Sequence, residues 1–449
     1  LYGKNMKNIE LYEKEIIINK LFDNDISLID YFSDKVFNYF KNNPPEDTNQ
    51  LIRFIINKTQ QSYHCDLLCI NRELIIPHCA DIFSFPFPLW FGQIKSRQNN
   101  KDFNIIFMVP TGIGCELGGH SGDANAVAKL FAKECDNFIT HPNVVNSADI
   151  NELPENGWYV EGSILTRFIM NQIGLIKPKS NKILLIIEKT DKNTKNAIIN
   201  MVSAARVTLG LECDVIETKE RINASSSYSE TSKKCIGKIN NFEHIYAILK
   251  EYKDNYDAFA LSTSIKMEDK IEEAYFDDVN SINPWGGVEA MITHASSYIA
   301  NKPTAHAPLI EISKIKERLD DINITDPRKA SELISLTSLF CILKGLHKAP
   351  QITFEKNTGL NINDISCLII PYGCLGLSIL AAYERNIPII AVKENKNLMK
   401  NNLESIFTKE RSLYIVDNYL EALGVMKAIR HGISVKSLRR PMKETKILN

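Results

Sequence analysis

The sequence has no excess of charge of either sign, since 53 basic residues stand against 54 acidic ones. Such a chain has no electrostatic footprint for nucleic acid or for an anionic membrane surface. It also has no apolar run near the roughly eighteen residues that a membrane helix needs. We therefore expect no nucleic acid and no membrane among its partners.

Cysteine is neither dense nor regularly spaced. The ten cysteines are spread over 449 residues, and no hydrophobic signal segment leads the sequence. Disulfide frameworks are typical of short secreted chains with closely spaced cysteines, so we expect reduced thiols and a cytoplasmic protein. Cys65 and Cys69 lack the spacing of a zinc knuckle, and no metal ligand is predicted.

The chain also lacks an intact nucleotide-binding motif. The stretch "VPTGIGCELGGHSGD", residues 109–123, follows an apolar run and contains five glycines. It does not match the Walker pattern G-x-x-x-x-G-K-[ST], and Leu117 stands where G-x-G-x-x-G has its third glycine. No cofactor is favoured, and NAD(P) remains the alternative because the loop follows a strand as a pyrophosphate loop does.

From Phe103 onward, short apolar runs alternate with helical patterns, as parallel sheets with crossover helices require. The chain is longer than one hydrophobic core usually serves. The predicted fold class is α/β, with two Rossmann-like parallel-sheet lobes at residues 101–220 and 240–449 and a cleft between them. The predicted strands are 104–109, 137–140, 182–188, 213–217, 258–262, 367–371 and 387–392, and the predicted helices are 124–133, 193–209, 287–300, 327–345 and 375–385.

The first hundred residues differ from the rest of the chain in the spacing of their apolar residues. "NIELYEKEIIINKLF" and "SLIDYFSDKVFNYFKN" have apolar residues at helical spacing, so residues 1–100 are predicted to form a mainly helical N-terminal extension. The serine-rich stretch 218–238 is predicted to be a mobile loop or an interlobe linker.

In open α/β sheets, ligands bind beyond the carboxyl ends of the strands, where loops lead into helix N-termini. The loops 111–123 and 283–287 have this position, and their glycines allow the backbone to approach an anion. The predicted ligand is a small anionic metabolite. The predicted ligand-binding residues are Thr111, Gly112, Gly114, Gly118, Gly119, Asn143, Asn146, Asn283, Trp285, Gly286, Gly287 and Gly373.

Side chains suited to acid–base or nucleophilic chemistry occur at the same strand ends, and the turns near positions 115, 141, 285, 306 and 374 are expected to converge on one hollow. Structural alternatives exist: Asp123 as a helix cap, His141 as a turn residue, His306 as a buried hydrogen-bonded histidine, Cys374 as a core cysteine and Glu161 as a cap or surface acid. The predicted catalytic residues are Cys374, His306, His120, His141, Asp123 and Glu289.

Two cysteines lie in glycine turns at predicted strand ends, Cys115 in "PTGIGC" and Cys374 in "PYGC". A thiol at a helix N-terminus has a lowered pKa. The arrangement resembles that of cofactor-independent amino-acid racemases, in which one thiolate removes an α-proton and the opposite thiol returns one.

A closer resemblance rests on a series of strings in order: "VPTGIG", "GGHSGDA", "ITHPNVVN", "NPWGGVEA", "THA", "HAP", "PYGCLG" and "AAYERNIPIIAVKEN". Over about residues 100–400 the chain resembles domain-of-unknown-function family 3326 of bacteria, cyanobacteria and plastids. Position 115 is commonly alanine in that family, which implies that Cys374 is the better candidate thiol.

These observations together predict an enzyme that acts on a small anionic metabolite by Cys/His chemistry, of racemase, isomerase or lyase type. Two alternatives remain: an NAD(P)- or nucleotide-dependent enzyme, and a non-catalytic metabolite-binding or complex-forming protein. Each is compatible with a homo-oligomer.

Overall fold

The computed structural model describes residues 9–18, 49–58, 63–71, 102–120, 122–229, 234–267, 271, 275–278, 280–315, 324–335, 337–355, 358–407, 412–445 and 447. The strands are β1 (Leu11–Ile18), β2 (Asn49–Lys58), β3 (Tyr63–Asn71), β4 (Asn104–Phe107), β5 (Asn137–Thr140), β6 (Asn146–Ser147), β7 (Ile150–Asn151), β8 (Gly157–Tyr159), β9 (Gly174–Ile176), β10 (Lys182–Ile187), β11 (Glu212–Glu217), β12 (Asn223–Ser229), β13 (Lys234–Asn240), β14 (Ala258–Thr263), β15 (Ile265–Lys266), β16 (Thr304–Pro308), β17 (Gln351–Thr353), β18 (Ile365–Pro371), β19 (Ile389–Val392) and β20 (Leu413–Val416). The helices are α1 (Asn125–Ala132), α2 (Pro142–Val145), α3 (Gly162–Ile169), α4 (Lys192–Leu209), α5 (Glu243–Tyr252), α6 (Gly286–Ala300), α7 (Ala330–Ile334), α8 (Leu339–His347), α9 (Leu377–Glu384), α10 (Leu403–Ile406), α11 (Tyr419–Arg430) and α12 (Val435–Leu438).

The first parallel sheet has the order β20-β19-β18-β4-β5-β8. Numbered along the chain, this is the 3-2-1-4-5-6 order of doubly wound dinucleotide-binding folds. The central strands β4 and β19 are buried throughout, as strands covered on both faces must be. The strand order reverses between β4 and β18, so the crevice beyond these two strands is the position where such sheets bind ligands.

The second parallel sheet has the order β11-β10-β14-β16, and its strand β14 is entirely buried. The predicted α/β class with Rossmann-like lobes is confirmed, and the predicted strands agree with observed ones to within about two residues. The predicted helix 327–345 is instead two helices, α7 and α8. The break lies before α8, where Ser338 adopts a left-handed conformation with φ 50°.

The sheets do not follow the predicted limits of the lobes. Strands β18 to β20 belong to the same sheet as β4, β5 and β8, although the chain passes through more than 200 residues between β8 and β18. The contiguous ranges 101–220 and 240–449 therefore do not each form one sheet, because the second sheet is inserted between the third and fourth strands of the first.

A third sheet corrects two predictions. Its order is β15-β12-β13-β1-β3-β2, so residues 11–18 are a strand and the helical prediction for the first stretch is wrong. β1 pairs with both β3 and β13, and these ladders override the helical spacing of its apolar residues. The second helical stretch, residues 27–42, lies outside the described residues. The serine-rich stretch is the hairpin of β12 and β13, not a linker, with Ser226 and Ser229 buried.

Within the ranges described above, no helix has the length and apolarity needed to cross a bilayer.

Candidate active site

A cavity of about 320 Å³ opens at the carboxyl ends of strands from both parallel sheets. Thr111, His141, Glu161 and Cys374 line it from the segments after β4, β5, β8 and β18, and His306 lines it from β16. Of the turns expected to converge, those near positions 141, 285, 306 and 374 line the cavity, and the turn near position 115 reaches it through Thr111 and Ile113. Parallel strands produce this convergence, since their carboxyl ends meet at one edge of a sheet.

The predicted residues divide into two sets. Those that line the cavity are Cys374, His306, His141, Glu289, Thr111, Asn143, Asn146, Asn283, Trp285 and Gly286. Those that lie outside its lining are His120, Asp123, Gly112, Gly114, Gly118, Gly119, Gly287 and Gly373.

One polar part of the wall is a pair formed by Glu161 and His294. Glu161 Oε2 accepts hydrogen bonds from the backbone N–H groups of Ser163 (2.8 Å) and Ile164 (3.2 Å) and thus caps α3. Glu161 Oε1 accepts from His294 Nδ1 and from the Thr293 hydroxyl. Burial alone would raise the pKa of Glu161, but His294 and the donors outweigh it and lower that pKa to about 2.

The pair determines which nitrogen of His294 is free. Because Nδ1 donates to the ionised Glu161, the second nitrogen, Nε2, is the atom that can take up or release a proton. No described residue provides a hydrogen-bond partner for Nε2. A Cβ on Gly162 would lie 2.9 Å from His294 Cε1, so only glycine leaves room for the ring.

His141 is held as a neutral donor. Its Nε2 accepts a hydrogen bond from the Val109 N–H at 3.0 Å, which requires the proton of the neutral ring to be on Nδ1. Burial lowers the pKa of His141 to about 4, although the negative charge of Glu161 acts in the opposite direction. Near pH 7 the side chain thus offers the cavity an N–H group without a positive charge.

His306 has both ring nitrogens engaged. Nε2 lies 2.9 Å from the Thr263 hydroxyl, and Nδ1 lies 3.1 Å from Glu289 Oε1. The His306 side chain is 1% exposed, whereas that of Glu289 is 24% exposed. His306 is therefore positioned to hold the Glu289 side chain at the cavity wall.

His120 lies behind the wall, at the end of a hydrogen-bonded chain. Its Nδ1 is 2.7 Å from the Tyr275 hydroxyl, which donates in turn to Glu332 Oε2. Glu332 lines the cavity, and its Oε1 accepts from Asn283 Nδ2 at 2.9 Å. His120 can therefore influence a ligand only through Tyr275 and Glu332.

The two thiols are adjacent to each other. Cys374 is fully buried and Cys115 is 2% exposed, and the Cys115 thiol contacts that of Cys374. Burial, together with the neighbouring Cys374 thiol, raises the pKa of Cys115 well above its usual value. Two thiols in contact leave no room for a substrate carbon between them, so the geometry does not support a two-thiol proton transfer.

The glycine loops pack against each other. A Cβ on Gly112 would lie 3.5 Å from Gly287 Cα, and a Cβ on Gly286 would lie 2.1 Å from Thr111 Oγ1. Asn283 Oδ1 accepts from the backbone N–H groups of Trp285 (2.9 Å) and Gly286 (3.0 Å). These donors at the start of α6 are therefore already satisfied, and the expected anion-binding role of the loop 283–287 is not supported by its geometry.

Asp123 does not cap the helix that follows it, so the structural alternative for this residue is wrong. Its Oδ1 accepts from the Gly118 N–H at 2.8 Å, and its buried Oδ2 has no hydrogen-bond partner among the described residues. Burial raises the pKa of Asp123 to about 7. The Asp123 carboxyl thus holds residues 118–123 of the loop after β4 together through the Gly118 N–H.

The third sheet completes the wall with Arg53 and Ile55 of β2. Ile55 pairs with Gly376, and the Ile56 N–H donates to the Leu375 carbonyl at 3.3 Å. The N-terminal segment is therefore attached to the loop that carries Cys374.

Among the described residues, no group of three or more His, Cys, Asp and Glu side chains is arranged to hold a metal ion. The histidines of the cavity are instead engaged with Glu161, Glu289, Thr263 and backbone N–H groups.

Most of this site lies in a part of the chain that matches a known family. Residues 104–439 match the family described as "Protein of unknown function (DUF3326)". The chain belongs to this family. The resemblance over about residues 100–400 is thereby confirmed. An uncharacterized lipoprotein of the cyanobacterium Synechococcus sp. is 27% identical over 357 residues, which are 75% of this chain and 94% of that protein.

No solved structure matches the chain. The cytoplasmic location stays a prediction, and the name of the cyanobacterial relative describes that protein as a lipoprotein.

The pairing of Glu161 with His294 and the contribution of Arg53 were not predicted from the sequence. Glu161 is followed by a helix, which indicates a cap, and it is one. Glu161 also accepts a hydrogen bond from His294, which lies 133 residues away in the sequence. No local sequence pattern indicates such a contact. Arg53 lies in a segment that was predicted to be helical and separate from the lobes.

Proposed function

We propose that the protein is an enzyme that moves protons on a small anionic metabolite, of racemase, isomerase or lyase type, with His294 as the acid–base residue. The observation that carries this proposal is the Glu161–His294 pair at the cavity wall. A buried carboxylate that holds one nitrogen of an imidazole and leaves the other facing a cavity is the arrangement of general acid–base catalysis.

The chemistry follows from the charges. Glu161 stays ionised because its pKa is held at about 2, and a carboxylate next to the ring stabilises the imidazolium that forms when Nε2 takes a proton. His294 removes a proton from the carbon or oxygen of the ligand through Nε2 and returns it to the same or an adjacent atom. Such proton transfer contributes about 10²–10⁴-fold to a rate.

His141 supports the same reaction. Removal of a proton from carbon leaves negative charge on an adjacent oxygen, and a fixed neutral N–H at the cavity wall stabilises that oxygen. Because His141 is neutral near pH 7, it does not compete with His294 for the proton. Cys374 is a further lining group, and Glu289 and Glu332 are the remaining carboxylates of the wall.

The test uses proton exchange, because this measurement works on a mixture of compounds in which the substrate has not been identified. The full chain is incubated in D₂O with a metabolite extract, and mass spectrometry records which compounds gain deuterium at carbon. The proposal expects at least one such compound, with exchange abolished in His294→Gln and retained in His431→Gln, which changes an exposed histidine. No exchange in any compound, or equal exchange in His294→Gln, would overturn it.

The strand order of the first sheet supports a second candidate, an NAD(P)-dependent enzyme, because 3-2-1-4-5-6 sheets bind dinucleotides at this crevice. Two features weigh against it. The second strand of such folds is followed by an acidic residue for the ribose, but β5 ends at Thr140 and His141 follows. Gly112 also packs on Gly287. Saturable binding of NAD(P) that displaces the extract ligand would favour this candidate.

The third alternative, a non-catalytic metabolite-binding protein, predicts a compound that binds the cavity but gains no deuterium.

A further inference from the structure

We propose that Arg53 binds the carboxylate of the ligand and that the ligand is a small monocarboxylic acid with an apolar body. The inference rests on the proposed function in that it names the substrate class of the same cavity. It assigns the anion site to the third sheet, and not to the glycine loops.

Arg53 is held in position by the buried Glu13 of β1. Its Nη2 donates to Glu13 Oε1, and the Glu13 side chain is only 2% exposed. Glu13 also accepts from Lys234 Nζ at 3.2 Å and from the Gly237 N–H at 3.0 Å. A guanidinium has five N–H donors in a rigid plane, and only this one hydrogen bond of Arg53 is formed with described residues. Its side chain remains 17% exposed and lines the cavity.

Arg53 differs in charge from the other ionisable side chains that line the cavity. Arg53 is the only lysine or arginine among the described residues that line the cavity, and the acids there are Glu161, Glu289 and Glu332. Each acid already accepts hydrogen bonds: Glu161 from His294, Glu289 from His306, and Glu332 from Tyr275 and Asn283. Among the described residues of the wall, an entering anion therefore finds one cation, Arg53, with donors that no described residue uses.

The rest of the wall indicates what the anion is attached to. Leu165, Ile342, Leu377 and Met399 contribute apolar surface to the cavity, which suits a short carbon body. A carboxylate matches the planar guanidinium through two parallel hydrogen bonds. A phosphate dianion would carry more charge into a cavity that holds one arginine and three glutamates, so a carboxylate fits this wall better.

Arg53 lies outside the region that matches the family, residues 104–439. The strand that carries it is nevertheless attached to the family region, because Asn401 Nδ2 donates to the Ile56 carbonyl at 2.9 Å. The proton-transfer pair thus belongs to the family region, whereas the anion-binding residue is supplied by the N-terminal sheet.

The test compares isobutyrate with isobutyramide, which has the same carbon body and no charge, by isothermal titration and NMR on the full chain. We expect isobutyrate to bind at least about tenfold more tightly than isobutyramide and inorganic phosphate not to displace it. Arg53→Gln should remove this preference, Arg53→Lys should retain part of it, and Arg221→Gln, which breaks the exposed pair with Glu311, should leave it intact.

Equal binding of acid and amide by the unaltered protein, absence of isobutyrate binding, or stronger binding of phosphate would each overturn the inference. None of these readings depends on a variant, so a misfolded Arg53→Gln protein, detected by circular dichroism, does not obscure the result. Arg53-dependent binding without any deuterium exchange would refute the proposed function alone, and exchange with binding indifferent to Arg53 would refute this inference alone.

Discussion

Replacement of Asp123 by asparagine should make the protein more stable above neutral pH. Asp123 Oδ1 accepts from the Gly118 N–H, whereas Oδ2 is buried and has no partner in the part of the chain that the structure describes. Burial raises the pKa of this carboxyl from 3.8 to about 7 in the folded protein. The folded state therefore keeps a proton that the unfolded state releases, and stability falls as the pH rises from 3.8 toward 7.

The magnitude follows from the shift. One unit of pKa corresponds to about 1.4 kcal/mol, so the full difference of about three units is worth about 4 kcal/mol. Of this, about 3 kcal/mol is lost between about pH 5 and about pH 8. Asparagine keeps an oxygen for the Gly118 N–H and carries no charge, so the variant should not show this loss.

The assay is urea unfolding of both proteins at several values between about pH 5 and about pH 8. We expect the difference in free energy of unfolding between variant and unaltered protein to grow by up to about 3 kcal/mol across this range. Asp254→Asn, which changes an exposed carboxyl, is the matched control and should leave the pH profile parallel. A constant difference for Asp123→Asn would show that the carboxyl is not a buried acid and would refute the reasoning.

Three further outcomes follow from single contacts. His141 should remain neutral down to about pH 4 as the Nδ1–H tautomer, because burial lowers its pKa; ¹⁵N NMR measures this, and a titration at the ordinary histidine pKa would contradict it. Gly286→Ala should cost about 1–3 kcal/mol because its Cβ would lie 2.1 Å from Thr111 Oγ1, and Thr111→Ala should restore the urea midpoint if that clash is the cause. Cys115 should resist iodoacetamide at neutral pH until the protein unfolds, since burial raises its pKa, and peptide mass spectrometry that finds it alkylated in the native protein would exclude the thiol contact.

The strands of the parallel sheets could be predicted because each is a short apolar run closed by polar residues. β5 was predicted with the bounds that it has, Asn137–Thr140. The order of the strands could not be predicted, since nothing in "CLIIPYGC" indicates that β18 pairs with β4, more than 250 residues earlier. β1 was misassigned because apolar residues in "LYEKEIII" fit a helix as well as a strand, and its partners β3 and β13 decide the matter.

The candidate site could be predicted as far as strand ends allow. His141, His306 and Cys374 follow from the rule that carboxyl ends of parallel strands share an edge, and each lines the cavity. What a histidine does depends on its partners. The ring nitrogens of His306 are occupied by Thr263 and Glu289, whereas described residues occupy only Nδ1 of His294. The sequence contains no sign of this difference, which depends on tertiary packing: α6, which carries His294, packs against α3.

The connection between β8 and β18 explains why the site forms where it does. The chain leaves the first sheet after β8, builds the second sheet and α6, and then returns as β18 beside β4. A sheet with this order leaves a crevice between β4 and β18, and in this protein the inserted segment closes it with His294 while β2 closes it with Arg53. Glu161 caps α3 and cannot hold the imidazole of His294 until α6 packs against α3. The Glu161–His294 pair is therefore a product of tertiary assembly, because the local donors of α3 stabilise the carboxylate but only this packing brings the ring to it.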